Sequence, residues 1–305
     1  MNAGDGYYIR ELTNFATLRA FADPFGTDLA HSNHMKHEPV SSIALNVARE
    51  THEMNRVALL TSTYGRDLES CTLLCESVDR HIGSFSKHVL LVPDCDLSLF
   101  SHFENERREV IPASTLLPYW LRPAPRVFQQ RQTWWSFRTR PVSGSSVQQY
   151  LKIAGILSLP YERTCILDSD AVCFSDFDLS QFQVPNPIPL FSRPSNQSRH
   201  SRSVETSHAL LGLPTQLPAS DFTGPIVFRD RQTTHAMVSQ IEAVTNLHWI
   251  EALCRTRDFS ETMLYGTFVQ NDARFSGAHR HASSAQAILA PRPASKEPAR
   301  VDALC

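Results

Sequence analysis

Glycine is scarce in this chain, eleven residues in 305, and none of them builds G-x-G-x-x-G or G-x-x-x-x-G-K-[ST]. Those loops let backbone amides close on a pyrophosphate, so a Rossmann dehydrogenase or a P-loop NTPase is not expected. Long apolar runs are missing too. The aliphatic stretch in "HVLLVP" falls far short of the roughly 20 residues that a membrane-crossing helix needs, so no integral membrane segment is expected. The opening "MNAGDGYYIRELTNF" carries acids where a secretory leader would carry basic residues and an apolar core. Neither sign of charge dominates: a formal net charge of -2 gives no global field for nucleic acid or an anionic membrane. The seven cysteines are odd in number and lack C-x-x-C spacing, which fits free thiols in a reducing cytoplasm better than a disulfide framework.

What is present reads as a globular α/β chain. Residues 1–54 are weakly patterned and form an amino-terminal extension. Within it His31, His34 and His37 are spaced to share one side of a helix with Glu38, but Pro39 comes at once, and a solvated surface segment is the expectation. From Arg56 the pattern sharpens. "RVALLTST" suits a buried parallel strand, "RDLESCTLLCESVDRHI" a helix, and "KHVLLVPD" a second strand, which together make a βαβ unit. Residues 111–146 hold five of the nineteen prolines and three of the four tryptophans, as expected of an ordered loop region. A helix over "VQQYLKIAGILSL" and a third strand, "TCILD", come next. "PNPIPLFSRPSNQSRHSRS" reads as a flexible loop, "FTGPIVFRD" as a strand and "TTHAMVSQIEAVTNLHWI" as one amphipathic helix. Another helix starts in "FSETMLYGTFV" with Ser260 as its cap, and residues 274–305 are expected to be a disordered, low-complexity tail.

The third strand runs directly into "DSD", Asp168 and Asp170 around Ser169. In an α/β sheet, ligands collect at the carboxyl ends of the strands. Residues two apart in extended backbone can face the same way, so both carboxylates could share one divalent ion, Mg²⁺ or Mn²⁺, together with substrate phosphates. A turn with two solvated acids is the alternative, and "DCD" at 94–96 has the same spacing.

"VALLTSTYGRDL", "QQYLKIAGIL", "CILDSDAVCF", "FTGPIVF" and "FSETMLYGTF" occur in the order seen in GT-A-type nucleotide-sugar glycosyltransferases. The chain resembles that class over about residues 56–270, and looks closest to a bacterial family of GT-A-like proteins known as a domain of unknown function. The resemblance implies a mainly parallel, Rossmann-like GT-A sheet flanked by helices, with a catalytic domain over residues 55–273. It implies metal-dependent transfer of a sugar from a nucleoside diphosphate to a hydroxyl-bearing acceptor. By that similarity Thr61, Ser62 and Tyr64 lie near the nucleoside, Asp94 near base or ribose, and Lys152 near the diphosphate. Asp168 and Ser169 contact the donor, and of the two metal-binding aspartates Asp170 holds the ion directly while Asp168 contacts ribose or reaches the ion through water. His279 or His281 would supply a third metal ligand. Glu261 takes the position of a catalytic base, and Trp135 and Gly224 face the acceptor. Nucleotidyl transfer, or a carbohydrate-binding protein without catalysis, stands as the alternative.

Overall fold

The computed structural model describes residues 56–124, 133–194, 201–214, 220–223 and 226–282. The amino-terminal extension with His31, His34 and His37, Gly224, and the chain from residue 283 onward lie outside the described residues.

The first strand, β1 (Val57–Ser62), buries all six of its residues, as a strand covered on both faces must. Helix α1 (Leu68–His81) comes next and turns Cys71, Leu74, Cys75 and Val78 inward at helical spacing. It leads to β2 (Phe85–Val92), which pairs parallel with β1, and β3 (Arg108–Pro112) pairs parallel with β2. Three short strands, β4 (Arg122–Pro123), β5 (Thr133–Trp135) and β6 (Val142–Ser143), then form a small antiparallel sheet. Ser143 caps helix α2 (Gly144–Ser158) by accepting a hydrogen bond from Ser146 N. Strand β7 (Arg163–Ile166) returns to the free side of β1, again parallel.

After β8 (Ile188–Phe191) and α3 (Ser201–Leu210), strand β9 (Val227–Asp230) joins β7 antiparallel. The remaining elements are α4 (Arg231–Thr245), α5 (Trp249–Cys254), α6 (Glu261–Asn271) and β10 (His279–Ala282). The main sheet therefore runs β9–β7–β1–β2–β3, with β9 as its one antiparallel member. Leu60 and Leu91 pack on one face against α2, α4, α5 and α6. Leu59 and Leu90 pack on the other face against α1. This is the mixed, mainly parallel, helix-flanked sheet expected from the sequence.

Several local expectations are corrected. The Pro- and Ser-rich stretch contains β8, whose Ile188, Leu190 and Phe191 are buried and whose partner is β10. Residues from 274 on are not all tail: a helical turn at Ala273–Ser276 leads into β10, where His279 is buried. Within residues 111–146, β4, β5 and β6 build a sheet of their own, with Trp134 buried on its inner side. The single helix expected over 233–250 ends at Thr245, because Asn246 adopts a left-handed conformation (φ 55°) and closes it; Val244 is left exposed. The six described cysteines are all free, as expected.

Helix α6 sits close enough to Phe222 that a Cβ at Gly266 would overlap its ring. Gly266→Ala should therefore cost about 1–3 kcal/mol, read as a lower melting temperature. Gly155→Ala, where the new Cβ meets only the flexible ends of Leu91 and Leu60 at 3.1–3.3 Å, should cost less. Equal melting temperatures for the two variants would contradict the packing of Phe222 on α6.

Candidate functional site

Chain order reverses between β1 and β7. From β1 the chain moves outward through β2 to β3, and then returns to place β7 on the opposite flank. At such a switch point the connections leave the sheet in opposite directions and open a crevice beyond the carboxyl ends of the two strands. The two lips of the crevice are the turn after β1, Thr63 to Asp67, and the turn after β7, Asp168 to Asp170. Leu167 N donates to Leu60 O at 3.0 Å, so the β1–β7 pairing holds until the residue before Asp168.

The three residues of the acidic turn go separate ways. Asp168 is exposed, and its Oδ1 lies 2.6 Å from Nζ of Lys152 on α2, whose side chain is largely buried. At an exposed carboxylate such a pair is worth up to about 1 kcal/mol. Ser169 is buried and donates through Oγ to Asp67 Oδ2 at 3.1 Å, tying the two lips together. Asp170 is exposed. The Asp67 carboxyl is pushed above the usual carboxylate range, first by burial and then by the charge of Asp170, against the lowering effect of the Ser169 hydrogen bond. Asp67 carries no distinguishing mark in the sequence. It stands immediately before α1, where an aspartate normally caps the helix, yet its side chain makes no capping bond.

Asp67 and Asp170 are hard oxygen donors that repel each other, and in type they suit Mg²⁺ or Mn²⁺. Among the described residues no group of three or more His, Cys, Asp or Glu side chains is gathered to hold an ion. A metal here would draw the rest of its ligands from substrate and water.

Other expected donor residues divide in two. Ser62 and Tyr64 border the crevice lip, with Tyr64 partly exposed; Ser62 Oγ is buried without a hydrogen-bond partner among the described residues. Thr61 does not belong with them. It is fully buried, 3.1 Å from His88 Nε2. Because Arg108 Nε donates to His88 Nδ1 at 3.1 Å, Nε2 carries the hydrogen and donates to Thr61. Burial, and then Arg108, push the His88 pKa down to about 3, which keeps this ring neutral. Arg108 continues the network to Asp79 at 2.9 Å and to Cys75 O at 3.2 Å. Asp94 accepts hydrogen bonds from the amide and hydroxyl of Ser114, joining the end of β2 to that of β3. Asp96 accepts from Gly65 N at 2.8 Å. The "DCD" segment thus stitches the loops that carry the crevice.

Two of the expected site residues are engaged in the interior. Glu261 is buried, and its Oε2 lies 2.6 Å from Arg229 Nη2, itself buried; its amide is bound by Gln149 Oε1 at 2.9 Å. A carboxylate fixed to a guanidinium in the interior is not free to meet an acceptor hydroxyl in this arrangement. His279 is equally occupied: Nδ1 donates to Phe275 O and Nε2 accepts from the Tyr265 hydroxyl, both at 2.8 Å. Burial takes its pKa down to about 4. Neither ring nitrogen is open to a metal, while His281 is exposed on β10. Trp135 stands on the separate small sheet, stacked edge-on against Phe137.

Both kinds of carboxylate can be told apart by melting. Glu261→Gln leaves the Arg229 charge buried without its counter-charge and should destabilise the fold by on the order of 3 kcal/mol; a catalytic base would leave the melting temperature unchanged. Asp67→Asn removes a carboxylate that the folded state disfavours. The Asp67 pKa is higher folded than unfolded, so the folded state binds more protons, and the penalty appears as pH rises above the unfolded value. The variant should melt higher than the parent at pH 7 in metal-free buffer and equally at pH 3. A lower melting temperature at pH 7 would show Asp67 to be a structural hydrogen-bond acceptor only.

No curated protein matches this sequence. A family model does match, over residues 54–293, a span that includes β1 through β10 and both lips of the crevice. The chain belongs to that family, the family of unknown function DUF6492.

Proposed function

We propose that the protein transfers a sugar from a nucleoside-diphosphate donor to a hydroxyl-bearing acceptor, in the manner of GT-A glycosyltransferases and with Mn²⁺ or Mg²⁺ as cofactor. The observation that supports this most is the grouping of Asp67, Asp168 and Asp170 with Lys152 at the switch point of a mainly parallel sheet. With all groups ionised, three carboxylates against the Lys152 ammonium and the Arg66 guanidinium, whose charge also acts on Asp67, leave the corner one charge negative. A diphosphate would be repelled from it, whereas a diphosphate carrying a divalent cation would not.

Asp170 and Asp67 would hold the metal, which when bound neutralises charge on the leaving diphosphate. Lys152, already the partner of Asp168, adds one positive charge on the α2 side of the donor. Ser169 keeps the two lips at a fixed separation through Asp67. In the transfer the acceptor oxygen bonds to the anomeric carbon and the bond from that carbon to the diphosphate oxygen breaks. The diphosphate keeps the electron pair, and the acceptor's proton passes to it or to solvent. Alignment of donor and acceptor supplies much of the rate in such a site. One observation favours the alternative of a carbohydrate-binding protein without catalysis: the carboxylate assigned as base, Glu261, is locked to Arg229.

The test is melting of the full chain with UDP or GDP, with and without Mn²⁺. At about a hundredfold excess over the dissociation constant, nucleotide and metal together should raise the melting temperature by roughly 5 °C. Asp170→Ala should lose that rise while melting like the parent in the absence of ligand. The proposal fails if no nucleoside diphosphate acts with Mn²⁺, or if Asp170→Ala responds as the parent does.

A further inference from the structure

Among the described residues, the small sheet β4–β5–β6 presents an outer face with exposed aromatic side chains. Trp134 and Trp135 are adjacent on β5 and so point to opposite sides: Trp134 is buried in the core, and Trp135 is 39% exposed. Arg122 lies directly opposite Trp135 on β4 and is exposed, so the two share the outer face. Phe137, 90% exposed, packs edge-on against Trp135 with ring centroids 4.8 Å apart. Tyr119, 75% exposed, is joined to the patch by a hydrogen bond from Arg122 Nε to its carbonyl at 2.7 Å. Arg138 and Arg140 are exposed beside it. Arg138 stands over Trp120 and 3.5 Å from Glu251, which has a nearer partner in Arg255 at 2.7 Å.

Along the chain the charge here is of one sign, although Glu251 reaches Arg138 from α5. No aspartate or glutamate occurs from residue 110 to residue 161, while the same stretch holds five arginines and Lys152. The net charge of -2 for the whole chain conceals this local excess. An exposed cluster of Trp, Tyr and Phe with Arg122 on the same face and Arg138 and Arg140 next along the chain matches the interface of a bilayer with an anionic surface. Aromatic rings rest at the level of the headgroups there, and each guanidinium is drawn to lipid phosphate. A polyanionic polymer would satisfy the arginines but would leave Phe137, without any polar group, in water.

We infer that the outer face of β4–β5–β6 docks the protein peripherally on anionic membrane surfaces, with Trp135, Phe137 and Tyr119 inserted and Arg122, Arg138 and Arg140 at the headgroups. This inference is independent of the sugar-transfer reading. The test is co-sedimentation of the full chain with vesicles of phosphatidylcholine alone and of phosphatidylcholine and phosphatidylglycerol at roughly 3:1, with binding to a heparin column measured in parallel. The parent should sediment with the mixed vesicles far more than with the neutral ones, and salt should weaken it. Trp135→Ala combined with Phe137→Ala, both at exposed positions, should lower the affinity by on the order of tenfold with unchanged circular dichroism. Arg122→Gln should lower it about fivefold. Failure to sediment with mixed vesicles, equal binding by the double variant, or retention on heparin without vesicle binding would each overturn the inference.

Discussion

Strands that pair in parallel must all finish on the same edge of a sheet. In this protein β7, β1, β2 and β3 do so side by side, and the turns that leave them are forced into one neighbourhood. Those turns carry Asp168 and Asp170, Asp67, Asp94 and Asp96, so the fold concentrates carboxylates that water would otherwise keep apart. The structure answers this crowding with specific partners. Ser114 takes Asp94, the amide of Gly65 takes Asp96, Ser169 takes Asp67 and Lys152 takes Asp168. Asp170 is the member left exposed beside Asp67, and its charge helps to raise the Asp67 pKa. The crevice is thus the place where the stitching stops short of neutrality.

The other side of β7 shows the contrary arrangement. Arg163 faces Asp230 at 2.7 Å, Arg229 faces Glu261 at 2.6 Å, and Tyr265 joins Asp230 N to His279. All of these groups are buried, and each is engaged by an opposite charge or a hydrogen bond, although Arg163 Nε has no hydrogen-bond partner among the described residues. That network ties β9, α6 and β10 together, so the carboxyl-terminal part of the fold is anchored by polar contacts as well as by Leu264 and Phe268 in the core. Buried charges tolerate little freedom, because removing one partner strands the other in a medium that solvates it poorly. The distinction between a paired interior carboxylate and an underpaired one in a crevice separates Glu261 from Asp67.

This distinction marks the limit of what was legible in the sequence. Continuous apolar runs gave away β1, β2 and β7, and the spacing of Cys71, Leu74, Cys75 and Val78 gave away α1, since burial on both faces or on one stripe leaves a local trace. The strand Ile188–Phe191 left none, because its partner, β10, lies far along the chain and its prolines imitate a loop. Asp168 and Asp170 were legible as the end of a strand. Asp67 was hidden because an aspartate before a helix is ordinarily a cap. Glu261 had the opposite fault: its position at a helix start was visible, but Arg229, thirty-two residues earlier, was not visible as its counter-charge. Periodicity reports which face a residue occupies and is silent about which charge waits across it.

The charge at the crevice also sets an order of events for the proposed chemistry. Asp67, Asp168 and Asp170 outnumber Lys152 and Arg66, which makes the corner an unfavourable destination for a bare diphosphate and a favourable one for a divalent cation. On the proposed reading a cation must therefore arrive before the donor or bound to it. On that reading Lys152 can serve in both states, because its side chain sets one positive charge beside Asp168 in the resting protein, in the corner where phosphate oxygens would lie. Asp168, on that reading, acts less as a metal ligand than as the group that holds Lys152 in place, and Asp67 and Asp170 are left to the metal. The acidic turn that looked like one motif in the sequence divides into two tasks, and the division comes from which of its carboxylates the fold has already supplied with a cation.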